Sequence, residues 1–135
     1  MIANRSSPAA TVIPVLPYVD VLEAAEWLCR AFGFKERLRI GAHRVQLVFG
    51  DGAVIVTELG ESAGAHTVHV RVEEADRHHD TAVSAGAVIL RPPTDHPYGE
   101  RQYTAEDLGG HRWTFSESIA DVDPASWGGT AIDLG

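Results

Sequence analysis

Several things are scarce in this chain, and each scarcity closes off a class of protein. There is one cysteine, Cys29, so no intrachain disulfide can form. Its place on an apolar helical face points to packing rather than to a reactive thiol. No stretch approaches the roughly 20 consecutive apolar residues that cross a bilayer, so no membrane partner is expected. The opening Met-Ile-Ala-Asn-Arg-Ser-Ser-Pro also lacks the apolar centre of a secretory signal, and a cytoplasmic location is expected. Positive charge is thin, with 11 basic against 19 acidic residues and a net charge of −8. A phosphate backbone would be repelled, so no nucleic-acid partner is expected. What is present, 135 residues of which 44% are apolar, suits one domain with an ordinary core.

The chain reads as two halves on one plan. Val12 to Val19 is strand-like, and Val21, Ala25, Leu28, Cys29 and Phe32 then recur at helical spacing until Gly33 stops the helix. Strands are expected over 34–40, 43–49 and 53–59, separated by Gly41 and by the Gly50-Asp51-Gly52 turn. The second half gives a strand over 67–72, a helix over 75–85 stopped by Gly86, and strands over 87–90, 101–106 and 111–116. Val19 and Val72 lie 53 residues apart, as do Gly33 and Gly86, and an acidic residue, Asp20 or Glu73, follows each valine. The spacing is that of an internal βαβββ repeat. Module one covers about 12–60 and module two about 65–118, with a tail over 119–135 expected to anchor through Trp127.

The most informative stretch runs from Pro97 to Phe115, where strand, glycine turn and strand follow one another. Alternation places Trp113 and Phe115 on one face, and Gly109 and Gly110 are expected to close the turn with positive φ angles. The segment resembles the last hairpin of the glyoxalase, bleomycin-resistance and extradiol dioxygenase superfamily, the vicinal oxygen chelate proteins. The pattern "YGxRxxxxxDPDGHxWxF" is common there in the bleomycin-resistance-like branch, and Leu108 and Gly109 depart from it by replacing Pro and Asp. Ile13 to Tyr18 look like the family's first strand, and Ala25 to Phe34 look like its "AxxWLxxAFGF" helix. The resemblance covers about Val12 to Ser118. It implies an α+β fold in which two βαβββ modules form a curved mixed sheet around a cleft.

Metal-dependent relatives place a ligand on the first and last strand of each module. Those positions fall here at Pro14, Thr67, Thr114 and either Val56 or Glu58, and only Glu58 could coordinate. A catalytic site of this type commonly needs three or more His or carboxylate ligands, and a one-residue shift of register would add only His66. No metal and no other cofactor is therefore expected, and no residue is assigned as catalytic. The remaining enzyme reading is a glyoxalase-type lyase or isomerase, metal-dependent with unusual ligands or using Glu58 or His69 as base.

The resemblance to the bleomycin-resistance-like branch implies a small-molecule groove with aromatic walls and acidic groups, built where two subunits of a homodimer meet. Tyr98, Glu100, Arg101 and Tyr103 match its "YGxR" segment. With His69, Glu58 and Thr114 on the sheet they make the expected ligand-binding set. His96 borders the same loop, and Gly99 reads as a backbone hinge. His78 and His79 are expected on a solvated helix face, while His43 and His111 sit by turns. A third reading is an accessory module with a vestigial cavity.

Overall fold

The computed structural model describes residues 6, 8–59 and 66–130. Module one is β1 (Val15–Tyr18), α1 (Val21–Phe32), β2 (Lys35–Ile40), β3 (Arg44–Phe49) and β4 (Gly52–Glu58). Module two repeats the order as β5 (Thr67–Arg71), α2 (Ala75–Ser84), β6 (Val88–His96), β7 (Glu100–Glu106) and β8 (Arg112–Ser118), and a short 3₁₀ turn, Pro124–Trp127, follows. Each module folds into its own four-stranded mixed sheet, ordered β1-β4-β3-β2 and β5-β8-β7-β6. In each, the first strand runs parallel to the last, and the rest are antiparallel. No helix among the described residues is long and apolar enough to cross a membrane.

Local chemistry explains why the two helices differ. In α1 the Asp20 carboxylate accepts a hydrogen bond from the Glu23 amide at 3.0 Å, a cap worth about 1 kcal/mol. Gly33, at φ 86°, ends the helix in the left-handed region that only glycine enters without strain. Between these ends Val21, Ala24, Ala25, Leu28, Ala31 and Phe32 are buried at the spacing of one helical face. In α2 only Ala75 and Ala82 are buried, and Glu74 makes no side-chain cap. Glu117 from β8 supplies it instead, accepting from the Ala75 amide at 2.8 Å.

The helices meet, and the two modules share one core. The Phe32 ring lies 5.3 Å from Trp113 and 4.9 Å from Phe115 of the other module. Trp27 donates its indole N–H to the Ala85 carbonyl at 2.9 Å. His78 was expected in solvent and instead joins this seam. Its Nε2–H donates to the Phe32 carbonyl at 2.8 Å, and its Nδ1 takes the Tyr103 hydroxyl. Burial pushes its pKa below the ordinary histidine value.

A second seam lies at the hairpin turn. The buried Asp107 carboxylate accepts from the Tyr18 hydroxyl at 2.6 Å, the Trp113 indole at 2.9 Å, and the amides of Gly109 and His111 at 2.9 and 3.0 Å. His111, also buried, accepts the His66 amide at Nδ1 and donates from Nε2 to the Pro17 carbonyl. Of the two turn glycines only Gly110 has positive φ. Gly109 is required for a different reason, because a Cβ there would stand 2.6 Å from the Tyr18 ring.

Two strands differ in length from expectation. β1 is shorter, and Val12 and Val19 are exposed on either side of it. β6 runs on past Leu90 through Pro92 and Pro93, which an edge strand with register shifts between Ile89, Arg91 and Thr94 accommodates. The expected correspondence of Val19 and Val72 holds in position but not in environment, since Val72 is buried.

Candidate functional site

Strand alternation gives the sheet of module two a greasy face and a polar face. Tyr103, Ala105, Trp113 and Phe115 point to the helices and are fully buried. Glu100, Gln102 and Thr104 on β7 and Thr114 and Ser116 on β8 point the other way, and neither helix covers that side. Register adds to the row. His69 pairs with Thr114 and Arg71 with Ser116 across β5 and β8, while Gln102 pairs with Ser116 and His96 with Glu100.

Glu100, Gln102, Ser116, His69 and Tyr98 form a connected group, and Thr104 and Thr114 bond to each other beside it. Glu100 Oε1 accepts from the Ser116 hydroxyl and from Gln102 Nε2, the latter at 3.4 Å. His69 Nε2 stands 3.9 Å from the same oxygen. The Tyr98 hydroxyl donates to Gln102 Oε1 at 3.4 Å, and the Thr104 and Thr114 hydroxyls are 3.0 Å apart. The Ser116 bond, chiefly, holds the Glu100 carboxyl below its usual range, and the nearby His69 and Arg71 charges reinforce this. Glu100 is thus a fixed anion at neutral pH.

Aromatic rings border this face at one end. His96 stacks on Tyr98 at 5.0 Å and 9°, and its buried Nε2 has no hydrogen-bond partner among the described residues. Trp127 meets the other edge of Tyr98 at 5.6 Å and 64°. The indole is 42% exposed, so the tail rests on Tyr98 rather than burying its anchor. Gly99, at φ 87°, is also a point of close approach, since a Cβ there would lie 2.0 Å from the Ala120 carbonyl oxygen. A hollow of 260 Å³ lies between Arg71, Tyr98, Glu100 and the tail. Another of 330 Å³ lies between the modules, with Pro14 and Ala53 on one side and His69 and Arg71 on the other.

Four of the expected residues, Tyr98, Glu100, His69 and Thr114, therefore come together. Three do not. Tyr103 is 0% exposed, because period two turns it to the helix side, where its hydroxyl meets His78. Arg101 shares that parity, and its guanidinium is held by Asp95 at 2.6 Å and by Asp76 at 3.4 Å. Glu58 is exposed at the end of β4, level with Tyr18 in the other sheet. Gln102, Ser116 and Thr104 were missed, although alternation from Glu100 and Thr114 would have reached all three, as it places Arg71 on the face of His69.

The donor set does not fit a glyoxalase-type metal centre. Proline and threonines stand at three of the four positions, which leaves Glu58 as the one side chain of the set that could coordinate. Among the described residues no three His, Cys, Asp or Glu side chains gather as a metal-binding group.

Residues 11–115 match the model of the Glyoxalase/Bleomycin resistance protein/Dioxygenase superfamily. The chain belongs to this superfamily. TioX from Micromonospora sp. ML1 is similar at 35% identity, with a TM-score of 0.76 over 82% of this chain and 100% of TioX. TnmS3, an antibiotic binding protein from Streptomyces sp. CB03234, shares the fold at 16% identity and a TM-score of 0.69, over 84% of this chain and 97% of its own. An uncharacterized protein of Mycobacterium bovis is 27% identical over 92 residues, which is 64% of this chain and 59% of that protein. The chain thus spans little more than half the length of such curated relatives. Superfamily members share this scaffold, and a scaffold does not by itself choose between binding and catalysis.

Proposed function

We propose that this chain is a metal-independent small-molecule binding protein that sequesters its ligand on the uncovered polar face of module two. The observation that carries the reading is the connected group of Glu100, Ser116, Gln102 and His69 on that face. A fixed anion, neutral donors and acceptors, and the Tyr98 and Trp127 rings at the border suit a planar, partly polar compound. The antibiotic-binding description of TnmS3 makes antibiotics the first class to try. The site is completed by a second copy of the chain in a cytoplasmic homodimer. An open sheet face with Val88 and Leu90 exposed at its edge gains ~25 cal/mol for each Å² of apolar area that a partner covers, before the cost of docking.

Thermal-shift screening of planar antibiotics in the presence of a chelator tests this reading, because a ligand that binds only the native state raises its midpoint. At least one compound is expected to raise the midpoint for the native chain and to lose the effect in Glu100→Ala. Stabilisation that requires added Zn²⁺, Ni²⁺ or Mn²⁺ would contradict it. A metal-free isomerase is the second reading, favoured by His69 standing beside Glu100. Turnover of a bound compound that disappears in His69→Ala would select it.

A further inference from the structure

On the helix side of the molecule, away from the polar face, a groove of 850 Å³ opens between the last turn of α1, the β3–β4 turn and the start of α2. Its volume is in the range of small-molecule sites. Two half-buried rings form a corner in it. Phe49 and His78 have centroids 6.2 Å apart and planes at 72°. The imidazole cannot swing away, since the Phe32 carbonyl holds one nitrogen and the Tyr103 hydroxyl the other. Burial keeps it neutral, and it offers a ring rather than a charge.

The rim has the opposite chemistry. Four carboxylates, of Asp51, Glu73, Glu74 and Glu117, face two guanidiniums, of Arg71 and Arg77. Glu74 is paired with Arg77 at 3.1 Å, and Glu117 is committed to the Ala75 amide. Asp51 and Glu73 have no such partner among the described residues. A net negative rim over an aromatic corner is complementary to a flat organic cation, which gains from the ring faces and from the carboxylates together.

We propose that this groove is a second binding site, for a planar organic cation such as an aryl amidine or aryl guanidine, separate from the polar face of module two. Arg71 and Ser118 also border the hollow by Glu100, and Phe49, Asp51 and Arg71 the hollow by His69, whereas Glu73, His78 and Thr81 border the groove and neither hollow, so these three tell the two sites apart.

The probes are benzamidine, its neutral isostere benzamide and the anion benzoate, titrated to millimolar concentration while backbone amide signals are followed by NMR. Benzamidine is expected to move the signals of Phe49, Asp51, His78 and Thr81, benzamide to bind more weakly, and benzoate to leave them in place. Asp51→Asn with Glu73→Gln should weaken benzamidine by about fivefold, as two exposed carboxylates can. Both residues are exposed, and each single substitution is measured as well, so the test survives a double variant that folds poorly. The proposal is overturned if benzamide binds as tightly as benzamidine, if the variants bind like the parent, if the shifts centre on His69 and Glu100, or if no signal in the groove moves.

Discussion

Asp107 shows how much one residue can carry in a small two-module protein. Its carboxylate is buried and accepts four hydrogen bonds, one of them from Tyr18 in the other module. Asp107→Asn would turn one acceptor atom into a donor facing donors, and should cost about 3 kcal/mol in urea unfolding. Tyr18→Phe removes one donor and should cost about 2 kcal/mol, the upper part of the range for a bond to a charged group. Burial first, and Asp107 second, push the Tyr18 pKa above its ordinary value, so this bond persists through the alkaline range in which exposed tyrosines ionise. A null result for Asp107→Asn would mean that the hairpin turn is held by something other than this carboxylate. Such a residue was hard to see in the sequence. The glycine pair drew notice through its turn chemistry, whereas Asp107 matters through partners 89 positions away.

At the scale of elements, the existence of both helices and all eight strands was legible, because apolar spacing and glycine stops are local signals. What escaped was whatever depended on a neighbour from the other module. The adjacent pair His78 and His79 looks like a solvated face, yet α2 packs His78 against Phe32 and Tyr103 across the seam. Period two was enough to separate Tyr103 from Glu100, but the family pattern placed both in one segment and obscured that they face opposite ways. Arg101 was lost for the same reason. The seam also makes a pH prediction. His78 has a lowered folded-state pKa, so it binds a proton more readily when unfolded. Its neutral form adds stability that is complete above the ordinary value of 6.5 and is lost as pH falls through the folded-state value. Midpoints measured downward from pH 7 should fall, and the fall should shrink in His78→Gln, which has no such proton to gain. The lowered carboxyls of Glu100 and Asp95 act in the same direction, but only near and below their ordinary values of 4.5 and 3.8. An unchanged profile in His78→Gln would place the titrating group elsewhere.

For the whole molecule, the two sheets put their apolar faces into one core and leave the polar face of module two without a helix over it. That arrangement motivates the homodimer, and light scattering at micromolar concentration should give twice the mass of one chain. A single-chain mass would leave the ligand face open to solvent and remove the partner from the site. The central claim is narrower than the dimer: a small molecule binds on the face of Glu100, Gln102, Ser116 and His69, and needs no metal to do so. The most direct measurement is amide NMR mapping of the most stabilising compound from the antibiotic screen, on protein kept in chelator. Perturbations centred on residues of β5, β7 and β8 around His69, Gln102 and Ser116 are expected, and they should be absent in Glu100→Ala. Perturbations confined to the α1–α2 groove, or appearing only when a divalent metal is restored, would contradict the account.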